Sequence, residues 1–513
     1  MDKQTTEFEM RVCPTSYRIF PGKEAMEKLS QLISRLEFED EFQDDIIALG
    51  YMLDEDRDML YLHRGVNLEY LRNLLQNVRV KYVKAVNARP MNSEHEEFIP
   101  PRNKEQIDVI NFIAGLDEHS ANVNSQQLFL VKTGGFGKTY CAGRAACLYN
   151  QKTLIIMHRD QLREQWKKSL HDLQGLTSDD VYEITTSEQL EEIANGYDPD
   201  HDIYLMTHAT FRAGIKRIRN LKKISRIPQI LGIGLKIIDE AHLEFRDTLM
   251  MDFLFNIHRN LYLTATDGRS SKDENVIFKH VFSNTLFYKP SSLLTKEKPK
   301  KWVEYNIVEI NTHALPQIVR YRVEGYRGKM SPASYGKWVI QYDKKKTHIK
   351  CVTEIVRIIY ERDSTAKVLI FMPLIELCEE VAYHLRKHLN YDESFAYDLN
   401  IQTVNSKNSK TENEENKHAD VIVTTIGSCG TGTDIPGVTA IISCSPFVST
   451  LTAKQVAWRL RYCGKKCYYY DIYDSSVKMD KYWIRSRSKT ISALALETKF
   501  LQWTPDDDEN IKN

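Results

Sequence analysis

The sequence predicts an α/β protein built from two successive units, each a parallel sheet with helices on both faces, preceded by a smaller mixed α/β unit. Three observations carry that prediction. Short apolar runs recur between amphipathic stretches: LFLV (128–131), TLIIM (153–157), DIYLMT (202–207), LKIID (235–239) and LYLTAT (261–266). A second series follows as AKVLIFM (366–372), ADVIVTT (419–425), TAIISCS (439–445) and CYYYDIYD (467–474). Runs of this length interleaved with helices are the signature of strands buried on both faces. A glycine-rich turn, TGGFGKTY (133–140), directly follows the first run, and an acidic pair, Asp239-Glu240, closes the fourth.

Taken in order, residues 1–95 form the small accessory unit, a candidate for nucleic-acid binding. A strand (Tyr17–Phe20) precedes a helix (Glu24–Leu36). IIALGYMLDEDRDMLYLHRG (46–65) reads as a hairpin turning at DEDRD, and a helix (Leu68–Gln76) leads into the strand VRVKYVKAV (78–86). The polar stretch NARPMNSEHEEFIPPR (87–102) reads as a linker. The first large unit spans 96–290 and the second 291–490, joined by the Pro- and Lys-rich YKPSSLLTKEKPKKW (288–302). Residues 491–513 read as an acidic tail, of which the end TPDDDENIKN is expected to be disordered.

Composition narrows the class. With 42% hydrophobic and 27% charged residues the chain is globular, not disordered. No apolar run approaches the ~20 residues that span a bilayer, and the polar start MDKQTTEFEM shows no signal peptide. Of nine cysteines only Cys463 and Cys467 lie close together, with no further ligand to complete a zinc site. A reduced, cytoplasmic protein without a membrane partner is expected. Lys+Arg and Asp+Glu both total 70, so net charge neither demands nor excludes nucleic acid, because a local groove can be basic on a neutral molecule.

The glycine-rich turn sits where a phosphate-binding loop requires it, after a strand and before a helix beginning near Tyr140. Gly134, Gly135 and Gly137, with Phe136 between them, let backbone N–H groups close around ATP phosphates. Lys138 reaches the β and γ phosphates, and Thr139 offers a hydroxyl to Mg²⁺. Lys132 stands where the first glycine of the GxxxxGK[ST] pattern would fall. About 100 residues on, Asp239-Glu240-Ala241-His242 ends an apolar strand expected beside the loop. Asp239 can hold Mg²⁺ while Glu240 activates the attacking water, since one carboxylate cannot do both.

With these two motifs in place the sequence resembles the DEAH-type helicases of superfamily 2. Those helicases lack the first loop glycine, as here. IIMHRDQLREQW (155–166) resembles their DNA-contacting motif, with Leu162, Gln165 and Trp166 matching and Arg159 beside them; IYLMTHATF (203–211), containing Thr207, resembles the next. YLTATDG matches the element linking hydrolysis to strand movement at Thr264-Ala265-Thr266, with His242 its coupling partner. In the second unit VLIFMP (368–373) and TTIGSCGTGTDIPGV (424–438) resemble the fourth and fifth motifs. Thr424 is implied on nucleic acid, and Gly432 and Asp434 on the nucleotide. QVAWRLR (455–461) resembles the sixth. Gln455 and Arg459 match, Trp458 replaces a glycine, Tyr462 takes the last arginine position, and Arg461 falls one residue early. That shift is a rotation of about 100° if the stretch is helical. Either a residue was lost and Arg461, with Arg459, supplies the family's arginine finger, which is the reading adopted, or the finger is absent and both are surface arginines. Gln106, near Arg102, is implied as the adenine reader.

The resemblance covers residues 98–475 and implies two tandem RecA-like lobes, ATP and Mg²⁺ as cofactors, and a monomer acting on DNA. Compactness points to the phage UvsW-type helicases that remodel branched DNA in recombination and replication restart; other segments resemble XPB-like and restriction-type translocases. A phage-encoded protein would work in the host cytoplasm. An RNA-remodelling ATPase of the same superfamily and a non-catalytic nucleic-acid scaffold are the alternatives. RAGIKRIRNLKKISR (212–226) carries seven basic residues and no acidic one. Ile215, Ile218, Leu221 and Ile224 recur every three residues, predicting one helix with a buried stripe and a basic face that offers Lys216, Arg217, Arg219, Lys222 and Lys223 to phosphates. A plain solvated face is the competing reading.

Overall fold

The computed structural model describes residues 7–40, 45–48, 50–93, 99–121, 126–132, 135–265, 272–288, 302–313, 319, 330–391, 395–430, 435–447, 449–460, 464–504 and 511–512. The chain divides into two compact units, 1–296 and 297–513.

Within the first unit, β-branched and aromatic runs bounded by turn residues form a seven-stranded sheet. Its order is 181–184, 203–207, 153–157, 235–238, 259–264, 126–131, 286–287, and every neighbouring pair is parallel. Parallel pairing requires crossovers, which the helices Lys138–Tyr149, Asp160–Gln174 and His208–Ile218 supply. The strands are buried on both faces, which explains their unbroken apolar character. One expectation is corrected here. The strand carrying Asp239 is not next to the strand feeding the glycine-rich loop; strand Arg259–Thr264 lies between them.

Residues 7–82 make a separate five-stranded mixed sheet, ordered 51–54, 59–63, 16–20, 8–12, 78–82. Tyr51–Asp54 and Met59–His63 pair as the expected hairpin, but Asp45–Ala48 pairs with Glu37–Asp40 in a ribbon of its own. The single helix expected over 24–36 is two, Gly22–Lys28 and Ser30–Ile33, parted at Leu29.

This small sheet is fastened to the large one by buried polar groups. Thr15 Oγ1 donates to Asp252 O, and Arg18 Nη2 to Phe253 O and Leu254 O. Asp252, fully buried, accepts from Lys236 and from the Tyr262 hydroxyl at 2.8 Å, and lies 3.3 Å from His63 Nε2. Burial pushes the Asp252 carboxyl up, but Lys236 and His63 outweigh it and hold it below its usual value. Removing one partner of such a pair strands a buried charge. Asp252→Asn is therefore expected to destabilise the protein by about 3–5 kcal/mol in denaturant unfolding. A loss under about 1 kcal/mol would mean Lys236 finds another partner.

The second unit is an eight-stranded sheet ordered 401–404, 421–425, 368–372, 440–443, 467–474, 303–310, 495–503, 511–512. All pairs are parallel except the last. The acidic-tail reading of 491–513 is corrected: Ala495–Trp503 pairs along Val303–Ile310, and Ile511–Lys512 pairs back on Gln502–Trp503. Helix Lys478–Ser492 is tied to the sheet by the fully buried Arg487, whose guanidinium bonds Asp471 at 3.0 Å and Asp480 at 3.4 Å. Burial pushes the Asp480 carboxyl up to about 6 despite that arginine. The connection expected over 288–302 falls almost wholly outside the described residues. No helix among the described residues is long and apolar enough to cross a membrane.

Candidate nucleotide-binding and hydrolysis site

The loop after strand Gln126–Val131 turns into helix Lys138–Tyr149, which begins two residues before the expected start. Gly135 and Gly137 have φ of +81° and +94°, backbone that residues with a Cβ avoid. A Cβ on Gly137 would also stand 2.8 Å from Gln106 Nε2. Lys138 opens the helix and its Nζ donates to Lys132 O at 3.0 Å, which holds the ammonium across the loop. Thr139 follows, half-buried; Gly134 lies outside the described residues. Lys132, in the place of the missing glycine, is ion-paired to Glu105 and lies over the rings of Phe136 and Tyr288.

Gln106 is buried, 1% exposed, and both ends of its amide are held: Nε2 donates to Phe136 O at 2.7 Å, and Oε1 accepts from Arg102 N–H at 2.8 Å. Its direct contact in this structure is the glycine-rich loop.

Asp239 ends strand Leu235–Ile238 beneath the surface. Its backbone N–H donates to Ile156 O at 2.8 Å. Oδ1 accepts from Glu240 N–H at 3.0 Å, and Oδ2 accepts from the indole N–H of Trp166 at 2.8 Å. Burial, then the Glu240 charge, pushes the Asp239 carboxyl up to about 6, against the pull of Trp166 and the Lys138 ammonium. Glu240 adopts φ +51°, a left-handed conformation that a long side chain rarely takes without a reason in the site. His242 Nδ1 lies 2.8 Å from Thr264 Oγ1 and 3.3 Å from Glu240 Oε2. The acidic box is thus joined through a histidine to the end of the intervening strand. Thr266 lies outside the described residues. Lys138 and Asp239, although 101 residues apart in sequence, share one electrostatic site.

Trp166 corrects an expectation. It is buried, and its indole meets Asp239, so it is not placed to touch nucleic acid. Leu162, Trp166 and Leu170 form the buried stripe of helix Asp160–Gln174, and a buried indole N–H needs an acceptor. That spacing, together with an acidic residue ending a nearby strand, was the available signal. Gln165 and Arg159 remain half-buried on the same segment. Thr207 is buried and its hydroxyl caps helix His208–Ile218 by accepting from Thr210 N–H at 3.1 Å. Thr424 is fully buried and donates to Val404 O at 2.6 Å, so it has no surface to offer nucleic acid.

The basic segment is not one helix. It breaks at Arg219, φ +50°, and restarts after Asn220, whose side chain caps Leu221–Ile224. The stripe does pack inward, with Ile224 buried and Ile215, Ile218 and Leu221 against the core. Arg217 is bound by Glu188 and Glu191, both at 2.5 Å, and Lys223 by Asn195 at 2.8 Å. Lys216, Arg219 and Lys222 stay exposed.

In the second unit Gln455 lies on helix Thr450–Ala457, with Trp458 as its C-cap and Arg459 in the turn beyond. The helix ends before the arginines, so the rotation argued for Arg461 does not apply. Arg461, Gly432 and Asp434 lie outside the described residues.

Against known proteins, residues 98–268 match the family model of the type III restriction enzyme, res subunit. That match covers one third of the chain, the part that carries the glycine-rich loop and the acidic box. Over 344 residues the chain is 23% identical to the candidate helicase 161L of Invertebrate iridescent virus 6, covering 64% of this chain and 67% of that one. The fold is also that of S. cerevisiae Dbp5, solved bound to RNA and ADP BeF3. That likeness has a TM-score of 0.51 at 12% identity and covers 79% of this chain and 90% of Dbp5.

Proposed function

We propose that this chain is a superfamily 2 helicase, an ATP-driven motor that translocates on or unwinds DNA, acting on duplex or branched substrates in replication, recombination or repair. The observation that carries the ATPase half is that Asp239 and Glu240 follow one strand of the parallel sheet and Lys138 opens the helix after another, with the Lys138 ammonium acting on the Asp239 carboxyl and His242 tying Glu240 to Thr264. Lys138 with the N–H groups of the glycine-rich loop would hold the β and γ phosphates. Thr139 and Asp239 are hard oxygen donors of the kind Mg²⁺ takes, and a cation would relieve the raised pKa of Asp239; Mg²⁺ there would neutralise phosphate charge. Glu240, strained and oriented by His242, is the base for the attacking water. Gln455, with Gly432 and Asp434, belongs to the second unit's share of nucleotide binding. Arg459 and Arg461 supply the positive charge that stabilises the transferring phosphoryl group.

Nucleic acid would be held through its sugar-phosphate backbone, with Arg159, Gln165, Lys216 and Arg219 as the contacts. DNA is favoured over RNA by the resemblance to restriction-type translocases. Strand displacement on forked DNA and on matched RNA substrates, with ATP and Mg²⁺, tests this. ATP-dependent displacement of DNA is expected; displacement confined to RNA would replace DNA by RNA as the substrate.

The indole bond gives a separate prediction. Trp166→Phe keeps an aromatic ring, smaller than the indole, and deletes the N–H, leaving Asp239 without its side-chain donor. The Mg²⁺ concentration needed for half-maximal ATPase is expected to rise about 5-fold or more, as for loss of an outer partner of a metal ligand. Equilibrium binding of ATP without Mg²⁺ should stay near wild type. An unchanged Mg²⁺ requirement would make Trp166 a packing residue only.

A further inference from the structure

The C-terminal part of the second unit carries a groove of about 420 Å³ that none of the motifs uses. Helix Lys478–Ser492 contributes Lys481, Arg485, Ser488 and Lys489, and the sheet contributes Tyr473 and Phe500. The three cations recur at intervals of four, so they stand in one row about 6 Å apart along the helix. All three are exposed, and none makes an ion pair with any described residue. By contrast, Arg217 has two glutamates, and Lys466 has Glu304 and Glu497.

The aromatic side of the groove is as unusual. Phe500 is 71% exposed on strand Ala495–Trp503, where Leu501 and Trp503 turn into the core. Tyr473 is fixed by its hydroxyl, which donates to Glu309 at 2.7 Å. The helix carrying the cations is held to strand Cys467–Asp474 by the buried Arg487–Asp471 pair, so the row has a rigid support.

We propose that this groove binds single-stranded nucleic acid, with Lys481, Arg485 and Lys489 on successive phosphates and a base stacked on Phe500. An unneutralised row of cations matches a repeating polyanion, and an exposed ring matches the free face of an unpaired base. A duplex keeps its bases stacked and has no face to give Phe500. The inference rests on the motor reading, adding a strand-holding site outside the motor motifs.

The test uses the full chain without nucleotide and fluorescent oligonucleotides, one single-stranded and one blunt duplex, titrated across salt. For K481A/R485A/K489A, single-strand affinity is expected to fall about 10-fold or more. The slope of log K against log salt should flatten by about 2, three charges at roughly 0.7 each. Phe500→Ala should weaken single-strand binding about 5-fold or more, while Phe500→Trp restores it. Duplex affinity should change little in every variant. Far-UV circular dichroism and basal ATPase, expected unchanged, confirm that the variants fold. Wild-type affinity and slope in the triple variant would overturn the groove and leave the motor reading intact. A wild type that binds no nucleic acid would overturn both. Binding of polyglutamate as tight as the oligonucleotide, and indifferent to Phe500, would make the groove an acidic-peptide site and overturn the proposal.

Discussion

Replacing Lys138 with alanine is expected to reduce ATP turnover by about 10³-fold or more, the largest single effect in the molecule. The ammonium lies across the glycine-rich loop on Lys132 O and acts on Asp239, so one substitution removes charge from the phosphates and from the acidic box together. In phosphoryl transfer the protein contributes positioning and electrostatics and little covalent chemistry, so a lost cation has no substitute. Steady-state ATPase and binding of a fluorescent ATP analogue should both fail, while the fold persists because Lys138 is only half-buried. Turnover within about 3-fold of wild type would remove the loop from the reaction.

The second large effect separates binding from chemistry. Glu240→Gln is expected to keep nucleotide affinity within a few-fold and to lower turnover about 10²–10⁴-fold, the range for loss of a general base. The amide keeps the shape and can still meet His242, but it accepts no proton from water. ATP binding by equilibrium titration, set beside single-turnover hydrolysis, reads the split. Loss of binding with the fold intact would move Glu240 from the base role to a structural one.

These two residues were legible in the sequence because their chemistry is local. A glycine turn with Lys-Thr, and an acidic pair ending an apolar strand, announce themselves within ten residues. The partners were not legible. Trp166 reads as one more residue of a DNA-contacting motif, and its bond to Asp239 spans 73 positions that only the parallel sheet brings together. Strand order had the same difficulty: nothing in LYLTAT says that this strand lies between the loop strand and the acidic one. The run 212–226 kept a helical period across Arg219-Asn220, so the break was hidden, although Asn is a strong N-cap. The alternation in ALETKFLQW is that of a strand, yet the acidic residues after it led the whole end to be read as a tail.

The central claim is that ATP hydrolysis in this chain is coupled to nucleic acid. Its most direct test is the steady-state ATPase rate of the full chain, alone and with saturating single-stranded, duplex, forked and four-way-junction DNA, and with RNA. The account predicts a low basal rate raised about 10-fold or more by at least one DNA, with the stimulation falling as salt rises. A rate that no nucleic acid changes would contradict it.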